Sequence, residues 1–268
     1  MNTEFTVGIT NQGEPGIDFS WVEHLDAVEF AVVVSKAANE KFEDVLLENK
    51  NKIIYHAVCT GLNGTAIEPN VPTVTEKFQH LQRLINLGFP TKQIVLRVDP
   101  LFPFQWMTII NKTLGIDYIQ KLYNILMMAE NLKIRRVRYS YLNLYDFVLS
   151  KLQQISHDFV IDPRWKPIYN NEIQLDKLNR NFEYEACAEF FVPPHHQVPC
   201  ISYKDLEILK KQFTHELSFK KLSNKNDPAC RCPSNKLELL VSNNFKCDYD
   251  CKYCYWKSAR IDHSKPVF

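Results

Sequence analysis

Three cysteines near the C-terminus, Cys247, Cys251 and Cys254, follow the spacing C-x3-C-x2-C, with Tyr253 directly before the last. Closely spaced thiolates on one loop suit a cubane 4Fe–4S cluster, and three of them leave its fourth iron without a protein ligand. An iron with an open position can hold a small molecule and pass it an electron. Iron–sulfur clusters normally take four cysteines, so a set of three points to a working site rather than a sealed electron carrier. The competing arrangement is a four-thiolate zinc ribbon made by Cys230-x-Cys232 with Cys251-x2-Cys254. It leaves Cys247 without a role and does not explain the x3 interval.

Five further cysteines stand upstream, with Cys59 alone. Cys187, Cys200, Cys230 and Cys232 make a second set, large enough for a second iron–sulfur cluster or a structural zinc. His195 and His196 lie near enough in sequence to replace one ligand, and Cys187 also reads as an ordinary buried thiol. In a chain without a secretory leader, metal binding is a better reading of such cysteines than disulfides. Arg97 and Asp99 are two apart on an apolar run, so they share one face. Arg97 could hold a carboxylate and Asp99 could accept from ribose hydroxyls; the alternative is an ion pair that only braces the fold. Asn63, between Gly61 and Gly64, either offers backbone N–H groups to an anion or closes a plain turn. The basic run Lys133, Arg135, Arg136 and Arg138 reads as a solvated strand edge. There is no Ser-His-Asp order and no HExxH.

The 268 residues are 45% hydrophobic and 24% charged, with a formal net charge of +1. No global field draws the chain to nucleic acid or an anionic membrane, although a local patch for nucleic acid stays open. The N-terminus lacks the basic-then-apolar layout of a secretory signal, and the longest apolar run, Phe30–Val34, is too short to span a bilayer. These features predict a soluble, cytoplasmic protein with no membrane partner.

The elements that must position the cysteines alternate. Apolar β-rich runs at Phe5–Thr10, Val28–Val34, Ile53–Thr60, Gln93–Val98, Ile134–Tyr141 and Leu237–Ser242 predict strands. Helices are predicted at Thr73–Gly88, Asp117–Asn131 and Lys204–Leu217, with shorter ones at Asp44–Asn49 and Asp146–Ile155. Strands separated by helices imply right-handed crossovers and a parallel sheet. The predicted fold is therefore an α/β parallel (β/α) barrel or partial barrel, TIM-like, with an open doubly wound sheet as runner-up. One barrel-like unit spans 1–268, and 170–268 is its cysteine-rich, metal-binding C-terminal part. The strand ends carry polar or backbone-permissive residues, where α/β folds bind ligands. The last end, Ser242-Asn243-Asn244, runs into Cys247. If Leu237–Ser242 pairs beside Phe5–Thr10, the barrel is a circular permutation with its cluster-bearing strand last.

The Cys247–Cys254 spacing with its aromatic resembles the signature of radical S-adenosylmethionine enzymes, although there the motif usually comes early. A wider set of segments resembles an uncharacterised bacterial and archaeal domain family whose C-terminal cysteines are similar to that signature. The matching pieces are Thr60-Gly61, Ile67–Pro72, Gln93–Pro100, Cys187-Ala188-Glu189, Cys200-Ile201, Cys230–Ser234 and Cys247–Tyr255, in family order. This chain departs at Arg231, where the family usually has Gly, at Leu237-Glu238-Leu239, where it has Asp-Ile-Gly, and at Val98, where an aromatic is common. The resemblance implies a 4Fe–4S cluster on Cys247, Cys251 and Cys254, S-adenosyl-L-methionine chelated at the open iron, and Tyr253 packed near its adenine. Arg97, Asp99 and Asn63 are the other expected contacts to that ligand. A deoxyadenosyl radical would then act on an unassigned substrate, with an electron donor such as ferredoxin or flavodoxin. The alternatives are a cysteine-rich zinc or iron–sulfur module that recognises nucleic acid or protein, and an iron–sulfur electron carrier.

Overall fold

Short apolar runs rich in Val, Ile and aromatic residues become strands, and each is followed by a segment that crosses back over one face. A computed structural model describes residues 6–162, 168, 171–209, 232–233, 236–240 and 247–255. Among these, β1 (Val7–Thr10), β2 (Phe30–Ser35), β3 (Ile53–Val58), β4 (Ile94–Leu101), β5 (Arg136–Tyr141), β6 (Glu183–Cys187), β7 (Gln197–Val198) and β8 (Lys236–Glu238) form one sheet. The order is β7-β6-β5-β4-β3-β2-β1-β8, and every pairing is parallel. The sheet curls into a half-barrel. As expected for a permuted arrangement, β8 lies beside β1, with Leu237 opposite Gly8. Among the described residues the ring does not close, because β7 and β8 are edges rather than partners. Two strands beyond the expected six, β6 and β7, extend the far side.

The crossovers are α1 (Glu40–Glu48), α2 (Val74–Asn86), α3 (Met107–Leu114), α4 (Tyr118–Asn131), α5 (Asp146–Gln153), α6 (Leu175–Leu178) and α7 (Tyr203–Leu209). The clearest sequence signal is realised at α2. Thr73 and Glu76 form a capping box, and Phe78, Leu81 and Leu84 bury one stripe. Gly88 then turns the chain out at φ 95°, which costs a residue without Cβ least. Among the described residues no helix is long and apolar enough to cross a membrane. The predicted helix Lys204–Leu217 is described only as far as Leu209; Cys230, Arg231 and Ser242-Asn243-Asn244 lie outside the described residues.

Strand alternation splits the sheet into two faces. The outer face carries Ala31, Val33, Ile53, Tyr55, Ala57, Leu96 and Val137, and the helices bury it in one large core. The inner face carries Val7, Ile9, Phe30, Val32, Ile54 and Val95, and Ile201, Leu206 and Leu209 fill it from α7 and the residues before it. Further along the inner face the apolar rows give way to charge. Register aligns Arg97 of β4 with Arg138 of β5, and Arg138 with Glu185 of β6. This corrects the expectation of a solvated basic edge. β5 is an interior strand, so Arg136 and Arg138 are buried, and only Lys133 and Arg135 face solvent. Burial is tolerable because Arg136 Nη2 donates to Glu185 Oε1 at 2.8 Å and to Asp205 Oδ1 at 2.7 Å. Arg138 Nε donates to Glu185 Oε2 at 2.9 Å.

Candidate metal centre

The cysteine loop is fastened to the carboxyl-end rim by the segment that follows β3. Lys252 N donates to the Ile67 carbonyl at 3.0 Å, Asn70 N to the Tyr249 carbonyl at 3.4 Å, and Asn70 Nδ2 to the Asp248 carbonyl at 2.7 Å. Cys247, Cys251, Tyr253 and Cys254 pack there with Val71 and Tyr249 in one small cluster. None of the three cysteines is in a disulfide.

A buried ionic knot lies under this loop. Glu68 has no solvent exposure, and its Oε1 accepts from Lys36 Nζ at 2.8 Å and Thr60 Oγ1 at 2.8 Å. The Tyr253 hydroxyl donates to the same oxygen and accepts from Lys36 Nζ at 2.9 Å. Glu68 Oε2 is buried and has no hydrogen-bond partner among the described residues. Lys36 follows β2 and Thr60 follows β3, so the strand ends position the cations and hydroxyls. The Tyr253 ring meets Phe102, just past β4, edge-on at 5.9 Å. Burial pulls the Lys36 ammonium down, but the Glu68 carboxylate and then Cys251 outweigh it and hold it above the ordinary lysine range. Burial, then Glu68, pushes the Tyr253 phenol well up, so it remains a donor.

The thiols respond to the same environment. Burial raises Cys247 to about 12, against a lowering contribution from the Tyr249 N–H. Burial also raises Cys251, with Lys36 working in the opposite direction. Both are thiols at neutral pH until a cation displaces their protons. Among the described residues, no three His, Cys, Asp or Glu side chains already surround one point at metal-holding distance. In a cubane each cysteine takes a different iron, so its sulfurs do not have to surround one point. The donor set fits such a cluster in kind: three soft sulfur ligands on one loop, packed together at the rim.

The other predicted residues fall into three groups. Arg97 and Asp99 do pair on the inner face, with Arg97 Nε donating to Asp99 Oδ2 at 2.6 Å, and the Ser140 hydroxyl donates to Asp99 Oδ1. His56 sits between Arg97 Nη1 at 3.4 Å and Arg138 Nη1 at 3.2 Å, and burial together with those arginines keeps it neutral. Asn63 closes a turn, its Nδ2 donating to the Pro72 carbonyl at 2.9 Å, while Gly64 N donates to the Glu68 carbonyl at 3.0 Å. Cys187, the last residue of β6, brings its sulfur to 3.1 Å from that of Cys200, and Cys200 N donates to Cys232 Sγ at 3.2 Å.

Sequence reasoning missed several rim residues. Lys36 and Glu68 are the main pair; Glu68 lay inside the Ile67–Pro72 segment, but nothing in its spacing marks it as buried. Glu14 was also missed. It receives the Ser35 hydroxyl and the Lys36 N–H, the latter at 2.9 Å, and burial raises its carboxyl. Glu238, at the end of β8, accepts the Asn11 N–H at 2.9 Å and so ties the last strand to the first.

No curated protein and no solved structure matches the chain. A family model matches residues 17–256, nearly the whole sheet and the cysteine loop with it, so the chain belongs to the family described as a domain of unknown function, DUF1848.

Proposed function

We propose that Cys247, Cys251 and Cys254 hold a 4Fe–4S cluster with one open iron and that the protein is a radical S-adenosylmethionine-type enzyme. The observation that carries this reading is the position of three cysteines outside any disulfide at the carboxyl-end rim of a parallel half-barrel, where such folds bind ligands. When bound, the cluster would supply the electron that cleaves S-adenosylmethionine to a deoxyadenosyl radical. The chain's own residues hold and shield the site. Glu68, Lys36 and Tyr253 pin the loop, and Phe102 and Val71 cover its apolar side. Glu68 Oε2 is a buried acceptor with no hydrogen-bond partner among the described residues. Arg97 and Asp99 offer a paired cation and carboxylate further along the inner face. The cytoplasm, with its reducing poise, suits cysteine ligands of this kind.

The test is anaerobic purification followed by iron, sulfide and zinc analysis, then reduction with added S-adenosylmethionine. About four irons per chain and release of 5′-deoxyadenosine support the reading. Zinc alone overturns it. Iron that leaves S-adenosylmethionine intact and spectrally silent makes the protein an electron carrier instead.

A further inference from the structure

We propose that Cys187 and Cys200 form a redox-active dithiol that exchanges with organic disulfides, a second reactive site independent of the Cys247–Cys254 loop. Cys200 is the entry thiol and Cys187 the resolving one.

Sheet register brings the two together. Cys187 is the last residue of β6 and lies opposite Val198 of β7. Pro199 fixes the next backbone φ, and Cys200 then returns its sulfur to 3.1 Å from that of Cys187. Neither cysteine is in a disulfide. Sulfurs bonded to each other stand about 2.04 Å apart, so this pair has to close by about 1 Å to form a bond. Among the described residues no three His, Cys, Asp or Glu side chains surround one point, so the pair itself is the unit that the fold assembles here. The backbone on both sides is anchored. Arg138 Nη1 donates to the Cys200 carbonyl at 2.6 Å, and Tyr141 N donates to Glu189 Oε1 at 2.7 Å, two residues past Cys187. Between Cys187 and Glu189, Ala188 takes φ 59°, a left-handed conformation that a residue with a Cβ enters at a cost. Strain of this kind collects at functional sites.

Exposure assigns the roles. Cys187 is 4% exposed, whereas Cys200 is half-buried, so an incoming disulfide meets Cys200 first. The contact from the Cys187 sulfur, then that from Cys232, and the Arg97 charge hold the Cys200 thiol well below its ordinary range, against the effect of burial. The thiolate is the attacking species in such exchange. Cys200 attacks one sulfur of R–S–S–R, which forms a Cys200–S–S–R bond and expels one RS⁻. Cys187 then attacks the Cys200 sulfur. The Cys187–Cys200 bond forms, the bond to R–S breaks, and the second RS⁻ leaves. The two protons of the dithiol end on the two departing thiols. The protein is oxidised by two electrons and the disulfide is reduced by the same two.

The experiment uses the full chain, purified anaerobically and reduced, with oxidised glutathione as the disulfide. Differential alkylation and peptide mapping then read each cysteine separately, so the pair is scored apart from Cys247, Cys251 and Cys254 whether or not those hold a cluster. The expected product is a Cys187–Cys200 disulfide with release of about two reduced glutathiones per chain, and excess reduced glutathione should restore both thiols. Cys187→Ser should trap glutathione on Cys200, and Cys200→Ser should slow its capture at Cys187 about tenfold or more. If either variant does not fold, the mapped product of the native chain decides. Three results overturn the proposal: both cysteines stay reduced in the folded chain, the oxidised product joins Cys200 to Cys232 instead, or the two sulfurs react only after a chelator has removed zinc or iron.

Discussion

Replacing Glu68 by Gln isolates the charge of the knot beneath the cysteine loop. A glutamine can still accept from Thr60 and Tyr253, so the change chiefly strips Lys36 of its counter-ion. The Lys36 side chain is 13% exposed and that of Glu68 is 0% exposed, so water cannot take over the carboxylate's role. Removing one partner of a buried pair costs about 3–5 kcal/mol. For a chain of this size each kcal/mol moves the melting temperature by about 2 °C, so the expected loss is about 6–10 °C. Thermal melts of metal-free protein give the first readout. The second is local: Cys247, Cys251 and Cys254 should alkylate faster, because the loop they share loses its anchor. Removing both charges together, with Lys36→Met and Glu68→Leu, should recover most of the stability, since well-packed apolar replacements of a buried pair are often neutral. A Glu68→Gln protein that melts within about 2 °C of the parent, with unchanged alkylation, would refute the claim that this ion pair holds the loop.

Other perturbations test other parts of the frame. Burial raises the Glu238 carboxyl from 4.5 to about 7, so the folded state favours its protonated form. That contribution is complete below pH 4.5 and disappears as pH rises through 7; amide-exchange protection at Leu239, corrected for intrinsic rate, should fall across this window, and Glu238→Gln should flatten the fall. A Cβ at Gly16 would stand 2.1 Å from that of Ala37, so Gly16→Ala should force a backbone shift costing about 1–3 kcal/mol in denaturant titration. Thr73→Ala removes the capping box of α2 and should cost about 1 kcal/mol, with no effect on metal content.

The strand–helix rhythm was legible because apolar runs of strand length and a complete capping box are local signals. The existence of a final strand was legible for the same reason, since Leu237 and its neighbours read as one more apolar run, but its place beside the first strand entered only as a condition, because pairing is not a local signal; Leu237 itself stands exposed. β6 and β7 were harder. Glu183–Cys187 carries two glutamates: Glu185 suits a buried strand only because Arg136 and Arg138 donate to its carboxylate, whereas Glu183 is exposed and pairs with Lys204. Gln197–Val198 is held by two pairings only. The basic run at Lys133–Arg138 misled for the same reason: a charge pattern does not say that acidic partners will arrive from β6 and α7. The cysteines of the candidate centre were visible as spacing, whereas Lys36 and Glu68, 32 positions apart, meet only in three dimensions.

The pairing of β8 with β1 has a consequence for the order of events during biosynthesis. The frame from β1 to β7 emerges from the ribosome before the strand that carries the cysteine loop, and domains fold from the N-terminal side as they are made. The Ile67–Val71 dock and the Lys36–Glu68 pair can thus be in place before Cys247 is translated. Completion of the cysteine loop becomes the last step: a nascent chain that stalls before β8 can still build most of its core but lacks that loop.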